Sequence, residues 1–241
     1  MITPSMIHRK TMTEEKRKSA VNDYFAFYVG RPISYLLTIP FLYTSIKPNT
    51  ISILSIFPLI AAFIVFCAAD NIQMLLIGWS CLFLWNLLDG VDGNVARYKQ
   101  EFSKLGSVYD AMSGYIAMVI TFFAVGIAAG NMTSGQSIYP FVSKDYIILG
   151  ALSGIFVIFP RLIMHKIIST VDESSNVKNV KDKSGYGIVQ IIALNFSSVT
   201  GGAQVFLFVA ILLNILDIYT VIYFIFNFIV MIVSLRKMLR E

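Results

Sequence analysis

Uncharged apolar stretches alternate with short polar or basic ones along this chain. Residues 48–69 carry no charge, and about 20 consecutive apolar residues are what a helix needs to cross a hydrocarbon core. Pro48 and Thr50 open that stretch as a helix N-terminus does. Residues 71–88 form a second uncharged run. With no proline to stop it, the helix is expected to continue through Asp89 and Asp92 to about Arg97. A short connection carrying Lys99, Glu101 and Lys104 leads to a third run, 106–130, apolar except for Asp110. A fourth, 146–163, is expected to end around Pro160 and Arg161, before a polar loop at 172–183. Residues 184–216 read as one span with an interfacial lead-in, broken near Gly201 and Gly202, and residues 218–235 as a sixth span closed by Arg236, Lys237 and Arg240.

Upstream, residues 23–47 mix aromatics with Arg31, Pro32 and Pro40, too interrupted for a span but suited to a helix lying in the interface. Residues 1–23 are polar and charged, and no cleavable signal is read there. The expectation is an all-α integral membrane protein: a cytoplasmic or interfacial segment, 1–47, precedes a membrane domain of six transmembrane helices, 48–241. Composition agrees, with 56% hydrophobic residues, 14% charged residues and a mean hydropathy of +0.72. The net charge of +5 does not point to nucleic acid, because the basic residues sit at the ends of apolar runs rather than in one stripe. With both termini in the cytoplasm, all 19 lysines and arginines except Lys144 fall on the inner side, as the positive-inside rule requires. Cys67 and Cys81 lie inside apolar runs and give no disulfide framework.

Carboxylates at the ends of two apolar runs call for a counter-charge, since each costs roughly 2.5 to 3.5 kcal/mol at the centre of a spanning helix. Asp89 and Asp92 are three residues apart and share a helix face, and the short connection makes the helix bearing Asp110 an antiparallel neighbour. The three carboxylates are expected to converge. All-oxygen ligation of this kind suits Mg²⁺ or Mn²⁺ bound together with substrate phosphates, which implies phosphoryl transfer. An acidic pair alone also fits a divalent-cation transporter. Small residues surrounding it (Gly90, Gly93, Ala96 and Gly106) instead leave room for a bulky ligand such as a nucleotide.

The string Asp89-x2-Asp92-Gly93-x2-Ala96-Arg97-x8-Gly106-x3-Asp110 resembles the signature of the CDP-alcohol phosphotransferases, matching seven of its eight fixed positions with both long spacings intact. The six-span layout, the interfacial N-terminal element and the Pro48, Asn49 pair resemble that family too. The resemblance implies transfer of a phosphoalcohol from a CDP-linked donor to a lipid or phosphate-bearing acceptor with release of CMP. Asp89, Asp92 and Asp110 would hold one or two Mg²⁺ or Mn²⁺ ions against the CDP diphosphate. Gly93, Ala96 and Gly106 would make room for the cytidine, with Asn49 and Arg97 near the nucleotide. Arg161 and Lys166, beside His165, would meet an acceptor phosphate, although inner-side flanking accounts for their charge equally well. The implied setting is a bacterial or archaeal inner membrane with the site facing the cytoplasm, and a homodimer is compatible with it.

One position departs from the signature. The family's fourth aspartate, held to deprotonate the acceptor hydroxyl, is Gly114 here. Three readings follow: an inactive relative that still binds CDP-alcohol; a substitute base among Tyr109, Tyr115, Glu101 and His165; or an acceptor already ionised at neutral pH, such as a lipid phosphate.

Overall fold

The computed structural model describes residues 2–132, 141–170 and 187–240. The polar loop expected at 172–183 lies outside the described residues. Two short helices open the chain, α1 (Pro4–Thr11) and α2 (Glu14–Ala20), capped by Thr3 and Thr13, whose hydroxyl oxygens accept the backbone N–H of Met6 and Lys16. α1 is held by packing: Ile7 and Thr11 are buried and the helix lies against α3 (Arg31–Leu42) and α5 (Ile72–Lys99). A π-helical turn, Ala26–Gly30, runs directly into α3, so the aromatic segment read as an interfacial helix is helical for most of its length.

The apolar runs become the membrane helices. α4 (Pro48–Ala68) and α5 form a tight antiparallel pair, with Asn71 capping α5 through Met74 N–H. At 1.5 Å per residue the 28 residues of α5 extend about 42 Å, against about 30 Å of hydrocarbon, so α5 is longer than the apolar layer is thick, and the acidic pair lies toward its C-terminal end. Gln100 ends the helix in the left-handed conformation, φ 57°. α6 (Gly106–Met132) returns across the membrane, placing Asp110 in its first turns, level with the end of α5.

α7 (Ser143–Thr170) is longer than its sequence suggests. The expected stop near Pro160 does not occur. A proline removes one backbone donor and a spanning helix absorbs that loss, so Pro160 sits inside the helix, which continues seven residues past the expected end. The 184–216 run is also corrected in part. It is two helices, α8 (Ile188–Ser197) and α9 (Gly202–Leu212), meeting at 56°, with the break where the glycine pair placed it. A Cβ on Gly202 would fall 2.3 Å from the Asn195 carbonyl oxygen, so this turn admits only glycine. α10 (Leu216–Met238) completes the bundle. Among the described residues five helices are long and apolar enough to span a membrane, six if the bent pair counts as one.

Trp85, Phe66, Leu59, Tyr146 and Leu207 are fully buried in the main core. α6 and α7 approach most closely at a glycine crossing. A Cβ on Gly126 would lie 2.5 Å from the Tyr146 carbonyl oxygen, and one on Gly150 would lie 2.5 Å from that of Phe122. Gly114 is the contrast, since a Cβ there would meet nothing within 4 Å. Gly126→Val therefore lowers stability by about 1 to 3 kcal/mol through overpacking, whereas Gly114→Ala leaves it unchanged or raises it by up to about 1 kcal/mol. Thermal unfolding of the two variants in the same detergent checks this pair.

Candidate functional site

A cavity of about 280 Å³ opens where the acidic end of α5 meets the N-terminal segment. Asp89, Gly90, Asp92, Gly93 and Arg97 line it from α5 and Asp110 from α6, so six of the residues singled out around the acidic motif face one space. Asp92 is buried, and its Oδ2 accepts a hydrogen bond from Ser52 Oγ on α4, which fixes that carboxylate. Asp110, by contrast, is exposed at the mouth.

The opposite wall comes from residues that no motif marked. Lys16 reaches in from α2, Ala26 and Gly30 from the π-helical turn, and Arg31 and Ser34 from α3. Asn94 secures that wall, its Nδ2 donating to Ser34 Oγ at 3.3 Å and to Thr38 Oγ1 at 3.2 Å. The π turn brings two small residues and then Arg31 to the cavity in succession. Their only sequence signal was that Arg31 interrupts an apolar stretch. At the deep end lie Asn86, one turn before Asp89, and Thr200, in the break between α8 and α9.

Three basic and three acidic side chains thus share a small cavity, and the basic ones are incompletely bonded. Arg31 Nε and Arg97 Nε are buried without a hydrogen-bond partner among the described residues. Arg97 folds over Gly93, where a Cβ would come within 2.8 Å of its Nη2, and donates to Asn94 Oδ1 at 3.4 Å. Guanidinium groups that line a cleft are the natural complement of phosphate oxygens. Burial pushes the Lys16 ammonium down from 10.5 to about 7, and the charges of Arg97 and Arg31 push the same way, against Asp110 and Asp92.

The sequence also named residues that the structure places elsewhere. Asn49 Nδ2 donates to Ser103 Oγ at 2.8 Å, beside Gly106, so this pair braces the α5 to α6 connection outside the cavity lining. Ala96 does not line the cavity, and its carbonyl oxygen accepts the Glu101 N–H that closes α5. Arg161 and Lys166 are exposed on α7, away from the lining. His165 meets Tyr115 edge-on, ring centroids 6.0 Å apart, which brings that end of α7 next to Gly114. Ser113 fixes the neighbourhood of Gly114, bonding Ser55 Oγ at 2.8 Å and Trp85 Nε1 at 2.9 Å.

The family model for CDP-alcohol phosphatidyltransferase matches residues 45–235, nearly all of the membrane region. The chain belongs to the CDP-alcohol phosphatidyltransferase family. Members of this family transfer a phosphoalcohol from a CDP-alcohol, so the cavity bearing the signature carboxylates is the place to look for that chemistry. No curated protein matches the chain.

The donor set fits the divalent ion that such chemistry implies. It offers carboxylate oxygens, backed by serine and asparagine, to a hard cation. Among the described residues the acidic side chains do not close on one point as a ready-made metal cage, so the full convergence read from the sequence is not reached. The physical reason lies in the connection: Asp110 is exposed across the cavity mouth from α5, and an ion bound jointly by protein and diphosphate needs no closed cage.

Lys16 gives a pH signature for this phosphatidyltransferase-family site. Between about 7 and 10.5 the unfolded chain holds the Lys16 proton and the folded chain does not, so folding gains stability as pH rises through that window. The wild-type thermal midpoint, compared with that of Lys16→Met, should rise between about pH 7 and about pH 9. Parallel curves for the two proteins would contradict it.

Proposed function

We propose that this protein is a divalent-metal-dependent transferase which moves a phosphoalcohol from a CDP-linked donor to an acceptor phosphate, releasing CMP at the cytoplasmic face of a cell membrane. The observation that supports it most is the cavity itself, which Asp89, Asp92 and Asp110 share with Lys16, Arg31 and Arg97. The orientation rests on the distribution of basic residues, of which only Lys144 falls on the outer side.

Mg²⁺ or Mn²⁺ held by Asp89, Asp92 and Asp110 would neutralise the donor diphosphate and position its phosphorus for in-line attack. The protein's own groups do the rest. Arg97 and Arg31 offer donors to the phosphate oxygens, and Lys16 closes the space from α2. Ser52 holds Asp92 in place, and Gly93 makes room for the Arg97 guanidinium that folds over it. An oxygen of the acceptor phosphate attacks the phosphorus that carries the alcohol. The bond from that phosphorus to the bridging oxygen breaks, CMP leaves with that oxygen, and the product is a pyrophosphate diester.

Gly114 favours this acceptor over a hydroxyl. A phosphate monoester is ionised at neutral pH and needs no base, and the position where a base would stand is open space. Arg161 and Lys166, near the Tyr115 and His165 pair, would meet the acceptor's charge.

Purified protein with Mg²⁺ or Mn²⁺, a CDP-alcohol and a lipid phosphate should release CMP. Chelation should abolish release, and Asp92→Asn should reduce it at least about 100-fold. Gly114→Asp, for which the backbone has room, should gain turnover with hydroxyl acceptors. CDP-alcohol binding without CMP release from any acceptor, in both proteins, would mean an inactive relative. Divalent-cation flux in liposomes without nucleotide binding would mean a transporter.

A further inference from the structure

We infer that the deep end of the cavity, where Asn86 and Thr200 meet, receives the alcohol of the donor and selects a small hydroxylated alcohol over a diacylglycerol. This rests on reading the cavity as a CDP-alcohol site. Cavity-lining residues follow one another along α5 in the order Asn86, Asp89, Asp92, Gly93 and Arg97, a climb of about 16 Å over 11 residues. Carboxylates occupy the middle of that climb, where the diphosphate is placed, and on that reading the nucleotide lies at the Arg97 end. What hangs from the other end of the diphosphate therefore extends toward Asn86.

The chemistry of that end is polar and uncharged. Asn86 Nδ2 donates to the Thr200 carbonyl oxygen at 2.9 Å and to Gln204 Oε1 at 2.7 Å. A carbonyl oxygen can only accept, so the Thr200 bond fixes which way the Asn86 amide faces. Both its protons are consumed by groups behind it. Its Oδ1 accepts no hydrogen bond from the described residues, yet it is not among the sealed, unpartnered atoms, so it is the part of this side chain open to the cavity. Beside it, Thr200 Oγ1 lies 3.1 Å from Ser198 Oγ; the Ser198 proton goes to Asp23, so Thr200 donates to Ser198 and keeps its lone pairs as acceptors.

Such a surface recognises a ligand hydroxyl, and a buried acceptor left facing an acyl chain would lose its hydrogen bond with nothing in return. The backing is rigid as well. Gln204 is buried, its carbonyl oxygen accepts Trp79 Nε1–H at 2.8 Å, and Tyr219 OH donates to Ala203 O at 3.0 Å. On the far side of Thr200 the wall is pinned to the N-terminal segment. Ser198 Oγ donates to Asp23 Oδ2 at 2.9 Å, and Asn195 bridges Tyr24 N at 2.9 Å and Asn22 O at 2.7 Å. Polar groups thus line this wall among the described residues, where two acyl chains would need an apolar surface.

Calorimetric titration of the full chain in detergent with Mg²⁺ tests the inference, using CDP, CDP-glycerol and a short-chain CDP-diacylglycerol. Wild type should bind CDP-glycerol at least about tenfold tighter than the CDP-diacylglycerol. Asn86→Leu should erase that preference while its affinity for CDP, which has no alcohol, stays within about twofold. If Asn86→Leu does not fold, the wild-type preference decides alone. Equal binding of both donors, tighter binding of the lipid donor, or an Asn86→Leu loss that is the same for CDP as for CDP-glycerol would overturn the subsite while leaving the CDP-alcohol reading intact. Failure to bind CDP at all would remove both.

Discussion

Negative charge concentrated at the adjoining ends of two membrane helices is the constraint that shapes the rest of this molecule. Asp89, Asp92 and Asp110 cannot sit together at the end of α5 and the start of α6 without positive charge close by. The chain supplies some of it directly. Lys16, Arg31 and Arg97 ring the same cavity, each from a different helix, and their placement accounts for features that otherwise look incidental: the π-helical turn before α3, the burial of Ile7 that seats α1, and Gly93, over which Arg97 folds. A divalent ion and a diphosphate would complete the same balance, adding positive charge next to the carboxylates and negative charge next to the guanidinium groups.

The scaffold that holds these charges divides into a rigid part and a fitted one. α6 and α7 meet backbone to backbone at Gly126 and Gly150, and Ser113 ties α6 to both α4 and α5. Such contacts have little freedom to adjust, which keeps Asp110 and Gly114 at fixed heights. The N-terminal helices are attached more lightly. No residue of α2 is fully buried, and half-buried Lys16 reaches the cavity through a long side chain, while Asp23 and Asn22 anchor the segment after α2 at the α8 to α9 break. One wall of the cavity is therefore bundle, and the other is a segment folded over it.

Most of the bundle was legible in the sequence because it rests on local composition. Uncharged runs of span length became α4, α5, α6 and α10 within a few residues of the expected bounds, and the glycine pair marked the bend before α9. α7 runs as a helix seven residues past the expected end of its span at 163, since a spanning helix absorbs a proline. Within the site, spacing along one helix and across a short connection was enough for Asp89, Asp92, Gly93, Arg97 and Asp110. It was not enough for Lys16, Arg31, Asn86 or Thr200, which reach the cavity from chain-distant elements or by helix facing alone. Asn49, Ala96 and Gly106 show the converse: adjacent to the signature or part of it, they brace and terminate helices rather than line the space.

The central claim is that the three carboxylates hold the donor's diphosphate through a divalent ion. Pulsed electron–nuclear resonance of Mn²⁺ with CDP and the full chain measures this contact directly, through coupling between the metal and the phosphorus nuclei. Strong phosphorus coupling should appear with the wild-type protein and disappear with Asp89→Asn or Asp92→Asn. Binding of CDP that is equally tight without any divalent ion, or Mn²⁺ that shows no phosphorus coupling on the wild-type protein, would contradict it.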